Sequence, residues 1–142
     1  MEELTRNQEH VIIMTVIYNE LVDFKFGDNK FVRDAKTLIS DFCDCDYDSC
    51  SSFIKDTVLT SLSKYGEIVN VFTPSLKNWK WDRLPLLTQA ILLMSYTHFF
   101  YIEKVNKKIV INIAVDLAKK YIEDKQAKFI NAILDGVLND RK

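Results

Sequence analysis

The sequence predicts an all-α fold, and three observations lead there. Glycine and proline are scarce, at 3 and 2 of 142 residues, whereas strand-built sandwiches and barrels need frequent turns. Large apolar residues recur as adjacent pairs every four positions, which places them on one face of a helix. No stretch alternates apolar and polar residues between turn signals as a half-buried strand does. With 48% apolar and 27% charged residues the chain is globular, and its length suits one compact domain or two small subdomains around a sizeable core.

The elements follow in order. Leu4 to Phe26 is dense in apolar residues and predicts a first helix, stopped near Gly27. A second helix is expected from about Asn29 to Phe42. A third spans "DSCSSFIKDTVLTSLSKY", with Asp48 or Ser49 as its N-cap. "GEIVNVFTPSLKNW" continues helically, with Pro74 in a first turn or at a kink. "KNWKWDRLP" breaks the pattern and marks a joint around residues 73 to 84, where Trp79 and Trp81 are expected to pack. Asp82 is the candidate N-cap of the long apolar helix that follows, with Pro85 in its first turn. Ile109, Val110, Ile113, Ala114, Leu117, Ala118 and Tyr121 form one apolar stripe. Phe129, Ile130, Ile133, Leu134, Val137 and Leu138 form another, and the two can pack on each other and on the long helix.

The most apolar stretch, "LLTQAILLMSYTHFFYI", is shorter than a membrane span and carries Gln89, Ser95 and His98, so it predicts a buried helix. The start "MEELTRNQEH" does not resemble a secretory leader, which sets the expectation of a cytoplasmic chain with reduced thiols. Cys43, Cys45 and Cys50 lack a fourth cysteine or nearby histidine, so no zinc site is expected. Asp44, Asp46 and Asp48 imitate the start of a calcium loop, but Ser49 and Lys55 stand where it needs Gly and Glu. No metal or cofactor is expected.

Charge is unevenly spread. Residues 1 to 75 hold 7 Lys/Arg and 13 Asp/Glu, net −6, and residues 76 to 142 hold 12 and 7, net +5. A basic half suits an acidic partner such as nucleic acid, or simply solubilises helix surfaces. Catalytic patterns are missing. The two histidines, His10 and His98, are far apart in sequence, and there is no P-loop, G-x-G-x-x-G, G-x-S-x-G or H-E-x-x-H. A non-enzymatic, binding role is therefore expected.

Three blocks then occur in order. The first is "IVNVFTPSLKNWKWDRLP", to set beside P-x-L-x-x-W-x-x-x-R-L-P. The second is "QAILLMSYTHFFYIEKVNKKIVINIAVDLAKKY", with A-I-L and then I-N-x-A-V-x-L-A-K. The third is "AKFINAILD", beside K-F-[IV]-N-G-[IV]-L-D. Over about residues 68 to 138 the chain resembles the NusB family of bacterial transcription antitermination factors. It departs from that pattern at Leu93, His98, Asn106, Ile113 and Ala132, where the family usually has Arg, Glu, Pro, Glu and Gly.

The resemblance implies a single NusB-type domain over 1–142. It would consist of two small packed helical bundles of six to seven helices, about 1–75 and 76–142. It implies binding of boxA-type single-stranded RNA from ribosomal RNA leaders, together with NusE, a small-subunit ribosomal protein, in the RNA polymerase antitermination complex. Homodimers occur in the family and the resemblance leaves that state open. The implied RNA-binding positions are Arg6, Asn7, Gln8 and His10 in an N-terminal arm and Tyr18 in the first helix. Tyr121, Lys125, Lys128 and Phe129 are the implied positions in the last two helices. Cations attract phosphates and aromatic faces stack on splayed bases. Phe129 lies on an apolar stripe and reads equally as core, and Asn131 reads as a backbone hydrogen-bonder. Thr88 and His98 are candidate exposed positions for the protein partner. Arg6 is the arm's one cation, opposed by Glu2 and Glu3, so weak RNA binding by the isolated chain is expected. The alternative is a NusB-fold protein-interaction module that has lost most RNA recognition.

Overall fold

Helix α1, Arg6–Phe26, begins where Thr5 supplies a capping box: its hydroxyl accepts from the Gln8 amide at 3.1 Å, while Gln8 Oε1 accepts from the Thr5 amide at 2.8 Å. The computed structural model describes residues 3–27 and 34–139, and within them every regular element is helical. Gly27 occupies the C-cap of α1. The predicted start of the second helix lies outside the described residues; α2 runs Ala35–Cys43, with the Asp34 carboxylate accepting from the Lys36 amide.

Asp44 ends α2 in the left-handed region (φ 56°), a conformation short polar residues tolerate. A 3-10 turn, Tyr47–Ser49, follows. The N-cap of α3, Ser52–Ser63, is Ser51, whose Oγ accepts from the Ile54 amide, rather than Asp48 or Ser49, because that turn intervenes. Helix α4, Tyr65–Phe72, leads into a 3-10 turn, Thr73–Leu76, with Pro74 in its first turn. Helical geometry ends there: Lys77 takes φ 52° and reverses the chain. A further 3-10 turn, Trp81–Arg83, holds Asp82, so Asp82 does not cap the long helix. Pro85 itself is the N-cap of α5, Leu86–Thr97, in extended conformation. The buried Gln89 side chain donates to the carbonyls of Trp81 (3.0 Å) and Leu84 (3.1 Å), tying this entry segment to the helix.

Helix α5 is the central element. Ala90, Ile91, Leu92, Leu93 and Met94 are all at most 2% exposed, so it is enclosed on every side, as its all-round apolarity predicts. It packs on α1, α3 and α4, and also on α6, Lys107–Tyr121, and α7, Asp124–Val137. A π-helical turn, His98–Ile102, extends it. Helices α6 and α7 pack side by side as an antiparallel hairpin, clasped where Lys107 meets Asp135 at 3.1 Å. In α6 the buried set keeps Val110, Ala114, Leu117 and Ala118 of the predicted stripe and adds Ile111, whereas Ile109 is 53% exposed. Trp81 is buried, stacked on Phe72 and donating to the Tyr65 hydroxyl at 3.2 Å, whereas Trp79 is 58% exposed rather than packed. No helix among the described residues is long and apolar enough to cross a membrane.

Candidate nucleic-acid interface

The Thr5 cap fixes the first turn of α1, and with it Arg6, Asn7 and Gln8. The end of α6 meets this turn. Asn7, Val11, Lys120 and Tyr121 line two neighbouring hollows of about 180 and 410 Å³, the second also reached by Gln8. Asn7, Gln8 and Tyr121, distant in sequence, are thus brought together. Gln8 Oε1 is engaged in the capping box, which leaves its amide nitrogen to donate outward. Tyr121 is 39% exposed, with Lys120 Nζ 5.4 Å from its ring centre. Tyr18 lies eleven residues after Asn7 on α1, about 16 Å along the axis and on nearly the same face. It is half-buried against the core.

Arg6 is exposed but not free. Its guanidinium sits 3.8 Å from the centre of the Phe53 ring, and it pairs with Glu9 at 3.2 Å and Glu103 at 2.9 Å. Two carboxylates therefore neutralise the arm's one cation. Burial acts to raise the Glu103 carboxyl, but hydrogen bonds from Arg6 and His98 outweigh it and hold its pKa below the usual range.

His10 is not an arm residue in space. It is 1% exposed, wedged between Phe53 (5.2 Å) and His98 (5.5 Å), and neither ring nitrogen has a hydrogen-bond partner. Burial, then the nearby His98 and Arg6, lowers its pKa to about 4, so it stays neutral at pH 7. The helical period explains this: His10 shares the inward face with Ile13, Met14 and Ile17. Thr88 and His98 also correct the expectation of exposed positions. Thr88 is fully buried, donating to Gln126 Oε1 at 2.8 Å and joining α5 to α7. His98 is 4% exposed, and Nε2 donates to Glu103 Oε2 at 3.0 Å. The π-helical turn makes that pairing, since the Glu103 amide reaches back to the His98 carbonyl.

Helix α7 leaves directly after Tyr121. Lys125 and Lys128 are exposed in its first turns, and neither they nor Lys119 and Lys120 form ion pairs among the described residues. Phe129, one turn after Lys125, is half-buried and lines a hollow with Trp79 and Lys77. Asn131 is exposed, and no hydrogen bond of its side chain accompanies the expected backbone role. Lys120, which the sequence reading did not single out, lines both hollows beside Tyr121; the run "KKY" before the α6–α7 link was the available signal.

A family model described as the NusB family matches residues 8–139. The chain belongs to the NusB family. It is 33% identical over 143 residues to the transcription antitermination protein NusB of Finegoldia magna, covering 98% of this chain and 97% of that protein. To the transcription antitermination protein NusB of Macrococcus caseolyticus it is 31% identical over 138 residues, covering 96% and 97%. The fold matches that of T. maritima NusB with a TM-score of 0.75 at 15% identity, over 96% of this chain and 92% of that one. A chain in the crystal structure of a plectonemic RNA supercoil matches with a TM-score of 0.74 at 20% identity, over 93% and 92%. Against the NusB pattern, His98 in place of the frequent Glu is accommodated by Glu103 five residues on, whose carboxylate receives the imidazole N–H.

Proposed function

We propose that this NusB-family chain is a transcription antitermination factor that binds boxA-type single-stranded RNA of ribosomal RNA leaders jointly with NusE. The observation that carries the reading is the family match over residues 8–139, together with Asn7, Gln8 and Tyr121 on one surface beside unpaired lysines. RNA would cross the start of α1 and the α6–α7 link, with Lys120, Lys125 and Lys128 facing phosphates and Tyr121, Phe129 and Tyr18 offering faces for bases. Arg6 shapes this surface more than it contacts RNA. The role is binding within the RNA polymerase antitermination complex, in the cytoplasm, without catalysis, metal or cofactor.

The chain is read as one domain of two helical bundles, about 1–75 and 76–142, with the RNA path crossing both. With Thr88 and His98 inside, a protein partner meeting α5 finds its half-exposed positions Leu86, Leu87 and Tyr96. Because Arg6 is already neutralised, the isolated chain binds RNA weakly, no tighter than about micromolar at physiological salt. Fluorescence anisotropy on a labelled boxA-type RNA, with and without NusE, tests this: the partner should raise affinity sharply, and a scrambled RNA should fail. The same neutralised arm favours the second reading, a protein-interaction module without RNA recognition; retained NusE binding with no RNA binding at any salt would establish it.

A further inference from the structure

Trp79 is a large aromatic side chain held in solvent by a built turn. Leu76 (2% exposed) and Trp81 (5%) anchor the segment in the core on either side, Lys77 reverses the chain at φ 52°, and the Trp79 amide closes the turn onto the Leu76 carbonyl at 3.0 Å. Residues 77 to 80 are therefore pushed outward and Trp79 remains 58% exposed. A positive φ at a lysine, with no glycine to relieve it, marks a conformation imposed by those anchors. Trp79 lines a hollow of about 370 Å³ together with Lys77 and Asn78 of its own turn and Phe129 and Ala132 of α7. No carboxylate lines it. Lys80 is exposed beside Trp79, and Lys125 lies one turn before Phe129 on the same face of α7.

Two aromatic side chains lining a shared hollow, with the Asn78 amide and the Lys77 ammonium beside them, match the chemistry of an unstacked nucleobase on a phosphate backbone. We propose that Trp79 and Phe129 form a base-stacking platform for single-stranded RNA, flanked by Lys77, Lys80 and Lys125. Among the lining residues Lys77 is the one charged side chain, and no carboxylate joins it, which favours a polyanion over a second copy of this chain or an ordinary apolar peptide. The platform rests on the RNA-binding reading above and lengthens its path: from Tyr121 the strand follows α7 past Lys125 to Phe129 and ends on Trp79.

The test uses the full chain with NusE and a labelled boxA-type RNA across a salt series. Trp79→Ala should weaken binding about 5- to 100-fold, Trp79→Phe should retain most affinity, and neither should change the salt slope, since a stacked ring releases no counterions. Lys77→Gln should instead flatten that slope. Unchanged thermal unfolding of Trp79→Ala, expected for an exposed side chain, separates lost stacking from lost fold. If wild type binds and Trp79→Ala binds equally well, the platform is wrong while the NusB reading stands. If Trp79→Ala leaves RNA binding intact but abolishes a homodimer, the face belongs to self-association and the platform is likewise wrong. If wild type with NusE does not bind the boxA-type RNA at any salt, the platform and the RNA-binding reading fall together.

Discussion

Arg6 and His10 stand four residues apart on α1, and neither offers a free cation: His10 is buried at the inner wall of the hollow that Asn7 and Tyr121 line. Arg6 lies on the Phe53 ring between Glu9 and Glu103, so little free charge remains for a phosphate. Arg6→Ala should therefore reduce RNA affinity less than Lys120→Ala or Lys125→Ala, and should leave the salt slope closer to wild type, as anisotropy at two salt concentrations would read. His10 makes a pH prediction. Its pKa is about 4 folded and 6.5 unfolded, so the unfolded chain takes up this proton first as the pH falls. The stability it contributes is fully present above about pH 6.5, declines as pH falls, and is gone below about 4. The whole effect amounts to about 3 kcal/mol. Glu103, held below its usual range, adds its own loss at the acid end. His10→Phe keeps a ring against Phe53 and His98 while removing two unpartnered nitrogens. Urea unfolding at pH 7 and pH 5 should show a much smaller difference for this variant than for wild type; an equal difference would place the sensitivity elsewhere.

The regular helices were legible in the sequence because each buries a periodic face large enough to dominate its neighbours. The α1 stretch is dense in apolar residues up to Gly27, α5 is apolar all round, and the α6 and α7 stripes pair as expected. The connections were not legible, because their geometry is set by distant contacts. Asp82 has the composition of an N-cap, but Gln89 reaches back to the Trp81 and Leu84 carbonyls and Pro85 takes the N-cap position instead. The π-helical turn after α5 brings Glu103 back to His98, and Glu103 also receives Arg6 from 97 positions away, a contact no local pattern announces. The candidate site was legible by chemical type but not by direction. Asn7 and Tyr121 line one hollow, whereas His10, Thr88 and His98 are buried, since one residue's shift around a helix exchanges surface for core. Gln89→Leu tests the α5 entry. It strands two carbonyls beside a buried side chain and should cost about 2 kcal/mol in urea unfolding, more than an exposed substitution such as Asn112→Ala on α6.

The whole molecule has an acidic first half, net −6, and a basic second half, net +5, threaded by one hydrophobic core that runs from Ile13 to Leu138. The division gives the chain little overall attraction for RNA, at net −1, yet concentrates exposed lysines along α6 and α7. Binding through such a local patch should be weak alone and strong when a partner fixes the RNA's other end, since a second tethered contact raises the effective concentration of the first. The most direct measurement is the anisotropy titration of labelled boxA-type RNA, with and without purified NusE, at two salt concentrations and against a scrambled sequence. The account predicts weak, salt-sensitive binding alone, a sharp gain with NusE and failure of the scrambled RNA. Absence of binding to both RNA and NusE would contradict it and leave the NusB fold serving some other contact.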